Sequence, residues 1–310
     1  MCGHFGIILS ASEDRYTNEK LRKYIDNAVL AGDLRGGDGC GFVSITKKDV
    51  STYKKGVDAS EFRKDPEFLK MVRRLDLQAV LGHNRKGTFG TKSDDNAHPF
   101  VYGNIYLLHN GTLTGGITKY KDYAVDSEYI ADNLNKHINN PTNVLEKIEG
   151  AYSLVWYNLD NDTISFARNS ERPMFFANTK AGSLVYASEK KMLDWICERN
   201  SIDISDIVQT EPGELIVIPL KDFKSFKTSH TITKFTPLVR ADNFESYYLR
   251  YGYSRYKTQP VKSTNLPKVI DIKKESTVCK SCGESEGRFY LRDNETICEM
   301  CDKILDWGQI

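Results

Sequence analysis

With 40% hydrophobic, 11% aromatic and 27% charged residues in 310, the chain has apolar content for a large core plus a small appendage, which excludes a disordered or low-complexity protein. No stretch approaches the roughly 18 apolar residues of a membrane span, and the N-terminus lacks the basic and long apolar regions of a secretory signal, so a cytoplasmic protein is expected. The net charge of +1 hides an asymmetry: residues 221–278 carry 12 Lys/Arg against 5 Asp/Glu, whereas residues 279–310 carry 4 against 7.

In chain order, the apolar run from Phe5 predicts a buried strand over 5–10. Leu21, Tyr24, Ile25, Ala28 and Val29 share one helical face, which predicts a helix over 17–31 closed by Gly32. A Gly-rich loop over 34–41 precedes a strand from Phe42 to Ile45, and residues 61–75 have helical spacing. Strands are expected at 78–83 and 104–109, helices at 126–137 and 142–149, and short strands at 151–158, 162–168, 173–177 and 183–187. A helix at 189–199 and a strand at 214–218 complete the pattern. Many strands with helices between them argue for an α+β fold, sheets packed and helices outside. Residues 221–278 lack clear periodicity, hold Tyr247, Tyr248, Tyr251, Tyr253 and Tyr256 within ten positions, and end near Pro260 and Pro267; they read as a basic, Tyr-rich linker or extension.

The most reactive feature is Cys2. Methionine aminopeptidases remove Met1 when residue 2 is small, and removal puts a thiol and a free α-amine on one residue. The amine, with a reference pKa of about 7.7–8.0, then serves as the thiol's base near neutral pH. A nucleophile at the start of a core strand is held rigidly.

Further motifs follow in order: Arg35-Gly36-Gly37-Asp38-Gly39-Cys40-Gly41, Gly82-His83-Asn84-Arg85-Lys86-Gly87-Thr88, Asn96-Ala97-His98-Pro99, His109-Asn110-Gly111, Asp126-Ser127-Glu128 and Gly150-Ala151-Tyr152-Ser153. Phe166-Ala167-Arg168-Asn169, Tyr186-Ala187-Ser188-Glu189 and Glu211-Pro212-Gly213-Glu214 come later. Together with Cys2-Gly3, this series resembles the class II glutamine amidotransferases, the N-terminal nucleophile (Ntn) hydrolase family, over about residues 2–218. The resemblance implies a four-layer αββα sandwich. It also implies glutamine hydrolysis to glutamate and ammonia through a Cys2 thioester. Asn110 and Gly111 would donate to the oxyanion from a turn after a strand; the same pair read alone is a hairpin turn. Arg85 would hold the substrate carboxylate, for which a guanidinium fork is suited. Asp126 would hold the ammonium, a role compatible with a helix N-cap. Arg35 resembles the arginine that orients the nucleophile's end of the site. Thr88, Asn96 and His98 fall in the motifs that line the substrate pocket, and His83, His98 and His109 read as motif scaffold. Lys86 and Phe89 depart from the Trp and His of relatives similar to glucosamine-6-phosphate synthase, so the pocket lining differs in detail.

Seven cysteines include two CxxC pairs, Cys279/Cys282 and Cys298/Cys301, separated by fifteen residues. Four thiolates at this spacing fit a structural zinc ion in a reducing compartment, with residues 287–297 forming a hairpin led by Phe289, Tyr290 and Leu291. The expected organisation is therefore 2–220, an amidotransferase domain; 221–278, the basic segment; and 279–310, a zinc ribbon. Nothing in the chain reads as an ammonia-using domain, so the acceptor is expected on a separate synthetase. Nucleic-acid binding by the basic, Tyr-rich segment is the weaker alternative. The competing functions are an N-terminal-cysteine hydrolase of another γ-glutamyl amide and a non-catalytic partner-binding protein on the same fold.

Overall fold

A computed structural model describes residues 2–13, 15–74, 76–87, 91–114, 120, 122–238, 269–270, 289–292 and 295–298, with the backbone alone for 15–18 and from 269 onward. The chain divides into two compact units, Met1–Val239 and Arg240–Ile310.

In chain order the first unit contains β1 (Gly3–Ile8), α1 (Arg15–Asp33), β2 (Gly39–Thr46), β3 (Val50–Lys55), α2 (Ala59–Phe62), α3 (Pro66–Val72) and β4 (Leu77–Arg85). β5 (Phe100–Tyr102), β6 (Ile105–Leu113), α4 (Asp126–Lys136), α5 (Thr142–Leu145), β7 (Gly150–Asn158) and β8 (Thr163–Arg168) follow. β9 (Phe175–Asn178), β10 (Leu184–Ala187), α6 (Lys190–Arg199), β11 (Val208–Gln209), β12 (Glu214–Pro219) and β13 (Thr231–Lys234) end the unit. The strands form a seven-stranded sheet, β11-β9-β10-β1-β4-β2-β3, and a six-stranded sheet, β13-β12-β8-β7-β6-β5. Every strand pair among the described residues is antiparallel.

β1 and β2 are buried at every position rather than alternately, as strands covered on both faces must be. One face of the first sheet meets the second sheet through Ile8, Val43, Leu81, Leu108, Val155 and Phe166. On its other face, α1 lies against β1 and β4, and α6 against β10. The predicted face of α1 is the buried one, with Leu21, Tyr24, Ile25, Ala28 and Val29 all inaccessible. α4 covers β5 and β6 on the far side of the second sheet, packing Ile130 and Leu134 against Leu107 and Trp156. The unit is thus a helix–sheet–sheet–helix α+β sandwich.

Three differences from the sequence reading have clear causes. The helix expected at 61–75 is two helices, because Pro66 has no N–H to continue the first; Asp65 caps the second by accepting from Glu67 N–H. The strand expected at 104–109 runs on to Leu113, because β7 pairs with it residue for residue as far as Gly150. The first unit reaches Val239 rather than ending at 220: β13 pairs with β12, and Phe223 and Phe235 are buried. Part of the segment read as a linker is therefore edge strand and core. The five clustered tyrosines lie outside the described residues.

In the second unit, β14 (Val269–Ile270), β15 (Phe289–Arg292) and β16 (Glu295–Cys298) make a three-stranded antiparallel sheet. The β15–β16 pair is the hairpin expected between the two CxxC pairs. Cys279, Cys282 and Cys301 lie outside the described residues, and of Cys298 the backbone alone is described.

Candidate active site

β1 is a central strand of the first sheet, and its ladders to β4 and β10 fix the chain as far back as Gly3. Cys2, immediately before it, is 9% exposed. Its sulfur sits against the backbone of the segment leaving β4: the Lys86 N–H donates to Sγ at 3.2 Å, and the thiol lies 3.4 Å from the Lys86 carbonyl. Burial pushes the thiol pKa up, while the Lys86 N–H and the Arg85 charge pull the other way. A buried thiol of this kind stays protonated until a base takes its proton.

The Gly-rich loop exists because it packs backbone to backbone on this same segment. A Cβ on Gly36 would lie 2.4 Å from the Arg85 carbonyl carbon and 2.5 Å from Lys86 N. The Asp38 N–H donates to the Arg85 carbonyl at 3.0 Å, and its carboxylate accepts from Gly87 N–H at 3.0 Å. Beside it, Arg35 Nε donates to the Cys2 carbonyl at 2.9 Å, and its guanidinium pairs with Glu189.

A pocket opens next to the thiol. Its lining brings together Cys2, Arg85, Asn96, His98, Gly111 and Asp126, all expected from the motifs. Lys86, Phe100, His109, Val125 and Ser127 complete it. Arg85, at the end of β4, is 5% exposed and donates to the Thr91 carbonyl at 3.3 Å. The Asn96 amide donates to the same carbonyl at 3.0 Å. Asp126 is the first residue of α4, and Val125 holds the cap position without a side-chain bond, so the N-cap reading of Asp126 is corrected. Its carboxylate instead accepts from Leu113 N–H at 2.9 Å and from Ser127 Oγ at 3.4 Å. Thr88 lies outside the described residues.

Asn110 and Gly111 stand within β6, registered against Ser153 and Tyr152, so neither a turn after the strand nor a hairpin turn describes them. Gly111 lines the pocket, and the Asn110 amide donates to Ser188 Oγ at 3.2 Å. Asn110 and Arg35 stand outside the lining itself.

Four histidines cluster here, His98 and His109 in the pocket lining itself. His4 and His83 have ring centroids 5.3 Å apart, and His83 and His98 3.9 Å. His4 Nε2 meets the Ser153 carbonyl at 2.8 Å and His83 Nε2 the His109 carbonyl at 3.0 Å. A carbonyl accepts only, so both rings carry their proton on Nε2. His98 Nε2 and His109 Nδ1 converge on Ser127 Oγ at 3.2 and 3.1 Å. Burial lowers the pKa of all four, that of His4 to about 3. They are neutral at physiological pH, as a scaffold requires. The sequence reading did not single out His4, nor give Ser127 and Ser188 roles of their own; the latter two lie inside quoted motifs, which was the one available signal.

The family model described as glutamine amidotransferase domain matches residues 83–194, a stretch that holds Arg85, Asn110 and Asp126 but not Cys2 or Arg35. The chain is 27% identical to the amidophosphoribosyltransferase of Methanocaldococcus jannaschii over 77% of its own length and 51% of that protein. It is 34% identical to the isomerizing glutamine–fructose-6-phosphate aminotransferase of Sulfolobus acidocaldarius over 36% of its length and 18% of that protein. Among solved structures, the B. subtilis glutamine phosphoribosylpyrophosphate amidotransferase, crystallised with ADP and GMP, superposes with a TM-score of 0.57 at 18% identity. The match covers 77% of this chain and 50% of that one. A structure titled as the allosteric regulatory enzyme of purine biosynthesis gives 0.59 at 20% identity, with the same coverage. The chain thus spans about half the length of these solved proteins, and about half or less of the curated relatives. Residues 83–194 are similar to a glutamine amidotransferase domain, and the chain shares the fold of these two solved structures.

Proposed function

We propose that this chain hydrolyses glutamine to glutamate and ammonia through a thioester on Cys2, and hands the ammonia to an acceptor bound by a separate synthetase. One observation carries the reading: a thiol, a guanidinium and a carboxylate, from residues 2, 85 and 126, line one pocket. These are the groups needed to attack a side-chain amide while holding an α-carboxylate and an α-ammonium. Removal of Met1 frees the Cys2 amine, which takes the thiol proton as sulfur attacks the carboxamide carbon. Asn110 Nδ2 and Gly111 N–H stabilise the oxyanion. The carbon–nitrogen bond breaks, the protonated leaving group departs as ammonia, and water hydrolyses the thioester. Arg35 holds the carbonyl of the nucleophilic residue, and Thr88, Asn96 and His98 shape the pocket.

In the same reading, Cys279, Cys282, Cys298 and Cys301 hold a structural zinc ion. The β15–β16 hairpin, which brings Cys298 to the end of a strand paired with Phe289, fits such a site. Four thiolates leave no open position, so the metal would stabilise the second unit and take no part in hydrolysis. The reducing compartment that free thiolates require is the cytoplasm; no described helix is long and apolar enough to cross a membrane.

The test is mass spectrometry of the purified full chain after treatment with a glutamine-analogue diazoketone, beside an assay for glutamate release. The expected result is a chain lacking Met1, one adduct on Cys2, and glutamate formation that the adduct abolishes. Active enzyme that retains Met1 would remove the proposed base, and an unlabelled, inactive chain would remove the proposal.

A further inference from the structure

The two halves of the reaction centre come from different sheets. Cys2 precedes β1 in the first, and Asn110 lies on β6 in the second. One oxygen ties them together. Ser188, fully buried between β10 and α6, accepts through Oγ from the His4 N–H at 2.7 Å and from Asn110 Nδ2 at 3.2 Å. Its own N–H returns to the His4 carbonyl at 3.0 Å. The next residue, Glu189, pairs with Arg35, whose Nε holds the Cys2 carbonyl at 2.9 Å.

We infer that Ser188 is a positioning residue for the oxyanion donor, an inference that rests on the glutaminase reading above. A primary amide carries two N–H donors, and its terminal torsion is soft. Bonding one hydrogen to Ser188 Oγ fixes the amide plane and leaves the second hydrogen directed by that plane. A donor fixed before charge develops costs no reorganisation when the oxyanion forms, whereas a rotating one does. Glu189 does the corresponding work on the nucleophile's side through Arg35. The Ser188-Glu189 dipeptide therefore sets the register between thiol and oxyanion donor.

The effect should appear in kcat and run through Asn110. The ladder from His4 to His83 keeps β1 in place without the serine oxygen, so Ser188→Ala should free the amide while leaving the nucleophile strand paired. In the full chain, Ser188→Ala should lower kcat about tenfold with KM within twofold, and Asn110→Ala about 10²–10³-fold. The double variant should be no more than about twofold slower than Asn110→Ala alone, because contacting residues that act together do not contribute independently. Should the alanine variant fail to fold, Ser188→Cys, which keeps the volume and weakens the acceptor, takes its place in the cycle. Losses that multiply in the double variant, or a Ser188 effect confined to KM, would overturn the inference while leaving the glutaminase reading intact. An inactive wild type in the same series would overturn that reading and this inference with it.

Discussion

Asp126→Asn is the sharpest test of how the pocket selects its substrate. The substitution keeps the shape of the side chain and an oxygen for the Leu113 N–H that Asp126 accepts at 2.9 Å; it removes the negative charge. The Asp126 side chain is 13% exposed, so solvent screens little of its attraction for an ammonium. A hydrogen bond to a charged partner in such a setting contributes about 1.5–3 kcal/mol. At about 1.4 kcal/mol per factor of ten, glutamine KM should rise roughly 10- to 150-fold. Because the α-ammonium lies away from the reacting amide, ground and transition states lose the same contact, and kcat should stay within about threefold. The assay is steady-state glutamate release, run in parallel on the des-amino analogue of glutamine, whose KM should be unaffected by the substitution. If kcat falls while KM holds, or if both substrates lose affinity equally, Asp126 does not bind the ammonium and the reasoning fails.

Replacing Cys2 by Ala should abolish glutamate release with the unfolding midpoint preserved, and Cys2→Ser should be nearly inactive, since an amine alone activates a hydroxyl far less well; intact turnover in either would exclude the thioester. Gly36→Ala would put a methyl group 2.4 Å from the Arg85 carbonyl carbon, so urea unfolding should show a loss of about 1–3 kcal/mol. Diazoketone labelling of Cys2 should slow as well, because the Lys86 N–H beside the sulfur must shift. The buried histidines give a pH dependence of known sign. Their folded pKa values are depressed, that of His4 to about 3, so the unfolded chain binds more protons below about 6.5 and stability falls with pH from there downward. The urea midpoint should therefore fall between pH 6 and pH 5; a midpoint unchanged over that interval would show that these rings are not buried neutral.

The helix face of Leu21, Tyr24, Ile25, Ala28 and Val29, the core strand after Cys2 and the ordered motifs were legible in the sequence, because each is a local pattern read at a fixed period. The residue types of the pocket were legible for the same reason: a thiol, a guanidinium and a carboxylate have few uses in common beyond a polar substrate. Element ends were not. The Asn110-Gly111 pair looks like a turn in isolation, and pairing with β7 alone makes it mid-strand. Asp126 looks like a cap until Leu113, thirteen residues earlier, brings its N–H to the carboxylate. Likewise residues 221–238 carry no periodicity of their own; the open edge of β12 recruits Thr231–Lys234 as a strand. Tertiary structure alone brought Ser188 to Asn110 across 78 positions and between two sheets. A short polar side chain has no local signature for such a role, since its partner is decided by sheet packing rather than by its neighbours in the chain.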